Sequence, residues 1–452
     1  MIFKKKNISS LHLPHNKNTA ECVPTRVSAP KEVLLPMDMH SGHVAEPIVS
    51  VGDYVKVGQL IAREEGRFSS PVHATVSGKV VEIAPILRAS GKEVLAIRIE
   101  NDGKMERDPE LKAPVYTNAD EFLEAVRASG CVGLGGAAFP TWAKLNEMRN
   151  KEYTVDTVLV NAAECEPYIT SDHRMMVDHT QLVVDGIEHL RKGMFEYLEN
   201  AKFKICIEKN KPDAIAALKE ACAGKEYIEI VELKAIYPQG AKQVMLYNAT
   251  GRVSIAGKRF PYFHAIIINV SSLAKVAEYL NTGMPLVERI VTVDGPAVAN
   301  PQNLIAPIGT RISHLLETTG LKAAPGKVVV GGPMNGNAVC SAEDPIVKVS
   351  NSILVFDEKT ACLPDPSVCI HCGRCMDKCP ININVPGVEL AMRAKDNDTK
   401  ERLLIETGVR QCVDCGCCSY VCPANRYLLA TNQDAKAWLK KYAASKAEGG
   451  KR

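Results

Sequence analysis

From residue 31 to about 100 the chain alternates apolar and polar positions with a period of two. The stretches Ile48-Val49-Ser50-Val51-Gly52-Asp53-Tyr54-Val55-Lys56-Val57-Gly58 and Val72-His73-Ala74-Thr75-Val76-Ser77-Gly78-Lys79-Val80-Val81 set β-branched residues between glycines. Such alternation, with turns about every 8 to 12 residues, predicts an all-β module over 31–105. Ahead of it, residues 1–30, with His12, Pro14, His15 and Pro24, read as an extended strap. After a Pro-flanked linker at 108–115 the period lengthens to that of a helix, with Ala119, Phe122, Leu123 and Val126 on one face. Asn118 is placed to cap it, Glu121 follows three residues on, and Gly130 marks its stop. Beyond that, strands are predicted at 155–160, 203–207, 227–233 and 264–270, with helices at 181–190, 214–221 and 241–247. Alternation of this kind predicts an α/β layer with a mostly parallel sheet over 116–285.

Near the C-terminal end the periodic pattern gives way to cysteines. The run Cys369-Ile370-His371-Cys372-Gly373-Arg374-Cys375-Met376-Asp377-Lys378-Cys379-Pro380 is answered by Cys412-Val413-Asp414-Cys415-Gly416-Cys417-Cys418-Ser419-Tyr420-Val421-Cys422-Pro423. Both read C-x2-C-x2-C-x3-C-P, a spacing that in two-cluster ferredoxins sends the fourth cysteine to the other cluster. Cys369, Cys372, Cys375 and Cys422 are therefore expected at one [4Fe–4S] cluster, and Cys412, Cys415, Cys418 and Cys379 at the second. Zinc would call for two Cys pairs, and disulfides would not repeat this spacing. The cluster domain is expected over 360–430, followed at 431–452 by a basic end with Lys440, Lys441, Lys446, Lys451 and Arg452, read as a solvated helix terminus. Cys417 is expected as a bystander, and His371 as a packing or tuning residue. Cys22, Cys131, Cys165, Cys206, Cys222, Cys340 and Cys362 share no spacing and are expected to be buried small hydrophobes.

Composition narrows the picture. With 452 residues there is room for three or more domains, and 46% hydrophobic with 24% charged residues is ordinary for a globular chain. A net charge of +3, with no basic stripe interleaved with aromatics, excludes nucleic acid as the expected partner. The opening Met1-Ile2-Phe3-Lys4-Lys5-Lys6 is followed by no apolar leader segment, and no apolar run reaches membrane-spanning length. Any membrane association is therefore expected to be peripheral, and sixteen cysteines fit a reducing cytoplasm.

Gly133-Leu134-Gly135-Gly136-Ala137-Ala138-Phe139-Pro140-Thr141 sits between two predicted helices, the second opening at Thr141 and carrying Lys144. Glycines let backbone N–H groups approach a phosphate, and the following helix N-terminus and Lys favour the anion. A plain turn explains such glycines as readily, and the dinucleotide fingerprint would follow a strand. The strand at 155–160, however, runs into Asn161-Ala162-Ala163-Glu164-Cys165-Glu166-Pro167, past the carboxyl end where open α/β sheets bind ligands. The later run Gly331-Gly332-Pro333-Met334-Asn335-Gly336 is expected to be a turn.

Gly130 to Lys144 together with Asn161 to Pro167 resemble the flavin-mononucleotide and NADH site of the complex I flavin subunit. With the β module, Tyr237-Pro238-Gln239-Gly240-Ala241-Lys242-Gln243 and the two cysteine motifs, nearly the whole chain resembles the C subunit family of Rnf ion-translocating ferredoxin:NAD oxidoreductases. The β module is itself similar to the barrel-sandwich of lipoyl and biotinyl carriers. The turn at Glu65-Gly66-Arg67-Phe68-Ser69 lacks the carrier lysine, which suggests a docking piece. Residues 286–356, with Val293-Asp294-Gly295 and Gly309-Thr310-Arg311, are similar to the soluble-ligand-binding β-grasp insertion of this family, either with a ligand or as a spacer.

The resemblance implies a multidomain α/β fold: a barrel-sandwich β module, a Rossmann-like FMN/NADH domain, a β-grasp insertion and an α-helical two-[4Fe–4S] ferredoxin-like domain. It implies that Gly133, Gly135 and Gly136 lie against the flavin or its phosphate, with Lys144 as phosphate partner. Asn161 and Glu164 would hold ribityl or ring polar atoms, Glu166 would face the nicotinamide with Phe139 stacking on it, and Gly240 and Asn269 would line the flavin pocket. Three departures from complex I stand out: Leu134 in place of Arg, Ala163 in place of Asp, and Ala241-Lys242 in place of two acidic residues.

By the same likeness the chain is expected to be a peripheral subunit on the cytoplasmic side of the cell membrane. Electrons would pass between two [4Fe–4S] clusters, FMN and NAD(H), with no side chain as acid or base. Its partners would be the integral-membrane and cluster-carrying Rnf subunits, and indirectly ferredoxin, in a complex that pumps Na+ or H+. Two alternatives remain: a corrinoid reductase of diol-degrading microcompartments, whose flavin domain would open the chain, and an electron relay with a vestigial flavin fold.

Overall fold

The structure, a computed structural model, describes residues 8–63, 66, 68–88, 91–150 and 152–449. Glu65 and Arg67 of the carrier-type turn, Met1 to Lys6, and Lys451 with Arg452 lie outside the described residues. The chain divides into two compact units, one of His15–Leu233 with Arg259–Ala361, the other of Met1–Pro14, Lys234–Lys258 and Cys362–Arg452.

In the first unit, β1 (Thr25–Arg26) is followed by β2 (Glu32–Pro36), β3 (Glu46–Pro47), β4 (Tyr54–Val55), β5 (Leu60–Arg63), β6 (Val72–His73), β7 (Gly78–Leu87) and β8 (Glu93–Asn101). Strands β2 to β8 form two antiparallel sheets, β2-β8-β7-β4 and β3-β5-β6. Their inward positions Val33, Leu35, Val55, Ile61, Val72, Val80, Ile97 and Ile99 are buried, the alternation the sequence shows. Past the point where a carrier would offer its lysine, Phe68 and Ser69 are tied down. The Phe68 ring packs 5.5 Å from that of Phe139, and the Trp142 indole N–H donates to the Ser69 carbonyl at 2.8 Å.

Helix α1 (Ala119–Ala128) starts as expected: the Asn118 side chain accepts from the Glu121 N–H, while the Glu121 carboxylate reaches back to the Thr117 N–H. It buries Phe122, Leu123 and Val126. After α2 (Thr141–Asn146) come β9 (Thr157–Ala162), α3 (Ser171–Asp178), α4 (Thr180–Gly193), α5 (Phe195–Leu198), β10 (Lys202–Glu208), α6 (Pro212–Ala221) and β11 (Ile228–Leu233). The chain then leaves for α7 (Lys242–Thr250) in the other unit and returns with β12 (Ala265–Asn269) and α8 (Val270–Thr282). All pairings in the sheet β11-β10-β9-β12 are parallel. Strands β9 and β12 are near-continuous apolar runs, as expected where helices cover a parallel sheet on its faces, whereas β11 at one edge interrupts its apolar residues with Glu229 and Glu232.

A mixed sheet completes this unit: β13 (Glu288–Asp294), β14 (Gln302–Pro307), α9 (Ile312–Thr319), β15 (Pro325–Val330), β16 (Asn337–Ala338) and β17 (Ser352–Asp357), then α10 (Glu358–Ala361). Its order is β1-β14-β13-β17-β15-β16, with β13 and β17 parallel at the centre. The strap thus contributes an edge strand, Thr25 and Arg26 pairing with Leu304 and Ile305. Lys348, 1% exposed, donates to Ser70 Oγ, the Pro71 carbonyl and the Gly130 carbonyl, joining all three parts.

In the second unit Leu11 bridges to Tyr237, ahead of α7. The cysteine-rich part carries α11 (Arg374–Asp377), α12 (Val385–Met392), α13 (Asn397–Thr407), α14 (Cys417–Tyr420) and α15 (Leu428–Gly449) around Ile383, Val388, Leu404, Val409 and Leu428. The segment expected as a basic end belongs to α15, which buries Asn432, Ala435 and Leu439 and anchors Lys446 on Asp398 and Glu401. Among the described residues no helix is long and apolar enough to cross a membrane.

Candidate functional site

The parallel sheet runs outward from β9 through β10 to β11, then returns to the opposite side of β9 with β12. Strand order reverses between β9 and β12, and open α/β sheets bind ligands outside the carboxyl ends at such a reversal. Asn161 and Asn269 stand side by side in register at those two ends.

The glycine loop lies against this point. Its neck is closed by a bridge between Val132 and Pro140, with the Gly133 N–H donating to the Phe139 carbonyl at 2.9 Å and the Ala138 N–H to Gly133 at 3.1 Å. Ser272, in the first turn of α8, moors it: the hydroxyl accepts from the Leu134 N–H at 2.8 Å and donates to the Val132 carbonyl at 3.1 Å. Asn269 caps α8 through Ser272 and donates to the Asp172 carboxylate at 2.7 Å, which also takes the Ser271 hydroxyl. Gly135 rides over Asn269, where a Cβ would lie 3.3 Å from its amide nitrogen. Gly135, Gly136 and Ala137 are exposed, and among the described residues their N–H groups have no partner. Gly136 holds φ at 102°, a conformation other residues rarely adopt. Neighbouring unpaired N–H groups beside a helix N-terminus suit a phosphate.

Lys144 sits half-buried in α2 behind this loop, and Phe139 is engaged with Phe68. Gly240 belongs to the other unit, in a turn where the Ala241 N–H donates to the Pro238 carbonyl.

Beyond β9 the chain is held under strain. Glu164 and Tyr168 adopt positive φ, 45° and 70°. Non-glycine residues hold such angles only where their surroundings over-determine them. Here the Lys17 ammonium donates to the carbonyls of Glu164, Glu166 and Ile169 at 2.9, 2.9 and 2.5 Å, and Lys211 to that of Ala163 at 2.7 Å. The Glu164 carboxylate accepts the Asp172 and His173 N–H groups at 2.6 and 3.1 Å, so it caps α3 from inside the loop. Burial pushes Glu164 above the usual carboxylate range and Lys17 below the usual lysine range. Asn161 accepts from the Ala163 N–H at 3.3 Å. The Glu166 carboxylate accepts the Met334 N–H at 3.1 Å, from the later glycine run.

Sequence reasoning missed Lys17, Lys211, Ser271 and Ser272, and gave Asp172 no role. Only the Asn269-to-Ser272 spacing, that of a helix cap, could have pointed to one of them. A cavity of about 630 Å³ lined by Arg63, His73, Asp108, Glu124 and Tyr279 lies at the far end of α8, and no predicted site residue lines it.

In the second unit the two cysteine motifs interlock. Cys369, Cys372, Cys375 and Cys422 line one cavity; Cys379, Cys412, Cys415 and Cys418 line another. Each combines three thiols of one motif with the fourth of its counterpart. Backbone conformation repeats as well. His371 and Asp414, Gly373 and Gly416, and Asn382 and Asn425 occupy matching offsets, all with φ between 51° and 75°. Alternating left- and right-handed residues turn successive N–H groups inward, the concavity that iron–sulfur sites use.

The Ile383 N–H reaches Cys379 Sγ at 3.3 Å, and Asn432 reaches Cys412 Sγ at 3.7 Å. Burial pushes the Cys412 and Cys418 thiols up to about 12, so their ionisation depends on a metal taking the place of the proton. Cys417 is fully buried and lines the second cavity beside Cys415. The expectation that the remaining cysteines are buried holds for Cys131, Cys206 and Cys222. It fails for Cys340 and Cys362, which are exposed, and for Cys22 and Cys165, which are half-buried, because all four lie in loops rather than on core faces.

Comparison with known proteins agrees with this division. Residues 7–104 match the RnfC barrel sandwich hybrid domain, 126–278 the Nuo51 FMN-binding domain, and 366–426 a 4Fe-4S dicluster domain. FMN and iron–sulfur clusters are accordingly its cofactors. Over 379 residues the chain is 38% identical to the C subunit of the Na(+)-translocating ferredoxin:NAD(+) oxidoreductase complex of Acetobacterium woodii, covering 82% of this chain and 84% of that one. It is 36% identical over 359 residues to the proton-translocating counterpart of Clostridium ljungdahlii, covering 78% and 77%. With the C subunit of the ion-translocating oxidoreductase complex of Yersinia pestis it shares 36% over 380 residues, covering 82% and 60%. The chain belongs to the C subunit family of Rnf-type ion-translocating oxidoreductases.

Proposed function

We propose that this chain is the NAD(H)-handling subunit of a membrane-bound complex that couples ferredoxin:NAD+ oxidoreduction to the movement of Na+ or H+. The observation that carries the reading is that the glycine loop, whose Gly135, Gly136 and Ala137 N–H groups have no partner among the described residues, rides over Asn269 beside Asn161 at the strand-order reversal. The parallel sheet is Rossmann-like in its strand order, and the mixed sheet, with a parallel central pair and one helix after the first hairpin, supports a β-grasp reading.

FMN, when bound, exchanges a hydride with NAD(H) and single electrons with clusters. The protein's part is positional. Gly135, Gly136 and Ala137 offer N–H groups to the phosphate, with Gly133 shaping the neck and Lys144 adding charge. Asn161 and Asn269 set polar groups against the flavin, while Lys17, Lys211 and Glu164 hold the strand-end loop rigid. Glu166 faces the nicotinamide side. Cys369, Cys372, Cys375 and Cys422 hold one [4Fe–4S] cluster, and Cys379, Cys412, Cys415 and Cys418 the other. Cys372 is exposed beside Val368 and Ile370, whereas Cys379 and Cys418 are buried, so solvent tunes the two sites differently.

No described helix can span a bilayer, and ion movement is assigned to integral-membrane partners to which this subunit attaches on the cytoplasmic face. The test is anaerobic reduction of the reconstituted full chain by NADH, followed by cluster absorbance. Bleaching should require both NADH and FMN; bleaching at an unchanged rate in the FMN-free protein would overturn the proposal.

A further inference from the structure

The glycine run at 331–336 joins β15 to β16, and a turn accounts for part of it. The Gly336 N–H donates to the Gly332 carbonyl at 2.8 Å, and a Cβ on Gly336 would stand 2.5 Å from that oxygen, so the two limbs of the hairpin are in backbone contact. Gly331 is tied to β17 through the Ser352 carbonyl at 3.0 Å. None of this explains Gly332. A Cβ there would lie 2.1, 2.2 and 2.4 Å from Oε2, Cδ and Cγ of Glu166. The Glu166 side chain therefore fills the space that every other residue type at 332 would need, and its Oε2 accepts the Met334 N–H from the same hairpin.

The opposite side of the contact is equally fixed. Glu166 lies in the loop whose carbonyls are held by Lys17 and Lys211 and whose residues Glu164 and Tyr168 keep left-handed angles. A free glutamate loses rotamer entropy on being ordered. Here that ordering is imposed before any ligand arrives, by backbone from a different sheet. The three atoms nearest to a Cβ position at 332 all belong to Glu166.

We infer that the 331–336 hairpin is a positioning element for the flavin site, and that Gly332 is the residue through which it fixes the Glu166 carboxylate for the nicotinamide dinucleotide. The inference rests on the reading of Glu166 as facing the nicotinamide. Gly332→Ala drives the carboxylate out of its seat. Met334→Pro removes the donated N–H without adding bulk at 332, and serves if the alanine variant does not fold.

The experiment measures NADH dissociation constants on the FMN- and cluster-loaded full chain, alongside flavin content, iron content, unfolding midpoint and the rate of photochemically driven flavin-to-cluster transfer. Gly332→Ala should weaken NADH at least tenfold and Met334→Pro several-fold, with the other four readouts unchanged, and Asn335→Ala at the exposed tip should match the parent. Parent-like NADH binding in both hairpin variants overturns the inference, as does loss of flavin or of stability in step with NADH. Glu166→Gln separates the two levels. If it weakens NADH while the hairpin variants do not, only the hairpin's role fails; if it leaves NADH binding untouched, the reading of Glu166 falls and the inference with it.

Discussion

Replacing Gly136 by alanine tests the phosphate cradle with little else disturbed. A Cβ at 136 meets nothing within 4 Å, so no steric clash contributes. The cost is conformational: φ is 102°, where an L-residue is disfavoured by at least about 1–2 kcal/mol. The loop is exposed and can relax to negative φ, but relaxation re-aims the N–H groups of Gly135, Gly136 and Ala137 that are proposed to take the phosphate. FMN binding must then restore the strained form, and 1–2 kcal/mol corresponds to roughly 5- to 30-fold weaker affinity. Gly133→Ala is the internal control, because its Cβ would make only ordinary contacts, the nearest at 3.6 Å from the Phe139 carbonyl, and its φ is unexceptional. Quenching of FMN fluorescence on titration with apoflavoprotein reads both constants. Unchanged affinity in Gly136→Ala, or equal losses in the two variants, would refute the reasoning.

Burial of Lys348 holds its ammonium down to about 7, so between pH 7 and the ordinary lysine value of 10.5 the unfolded chain binds more protons than the folded one. Stability should rise with pH through that window, by at most about 1.4 kcal/mol per unit, and level off at its lowest below about pH 7; urea midpoints for Lys348→Met should lack this slope. Lys17→Met leaves three carbonyls of a strained loop without their donor and should cost about 1–3 kcal/mol, seen as a lower melting temperature of the holoprotein and faster FMN loss. Cys379→Ala and Cys422→Ala should each halve the iron content but leave different surviving clusters, distinguishable by their electron paramagnetic resonance signals, whereas Cys417→Ala should keep all the iron.

Much of this architecture can be read along the chain, and the reasons are local. Period-two alternation locates the strands around Val33, Val55 and Val80 because one face of each is buried, and Asn118 announces α1 because capping involves residues three apart. The paired cysteine motifs also announce themselves, since a cluster loop needs its thiols close in sequence. What stays hidden is long-range. Thr25 and Arg26 complete a sheet almost 280 residues away, a pairing with no signature in a two-residue strand. Lys17 looks like one surface lysine among many until its three carbonyl partners are seen. The run at 331–336 reads as a turn and is one, yet its second glycine answers to a glutamate 166 positions earlier, and no pattern within either segment reveals that.

The swapped fourth thiol has a consequence for how the protein is matured and how it fails. Because neither motif is a complete chelator, a nascent chain synthesised only as far as the first motif has nothing that can retain a cluster securely, so filling must wait until both arms exist. Oxidative damage then reaches both arms: loss of the cluster held by Cys412, Cys415 and Cys418 frees Cys379 on the first motif, and loss of the other frees Cys422 on the second, so each loss leaves a loose thiol on the arm that serves the surviving cluster.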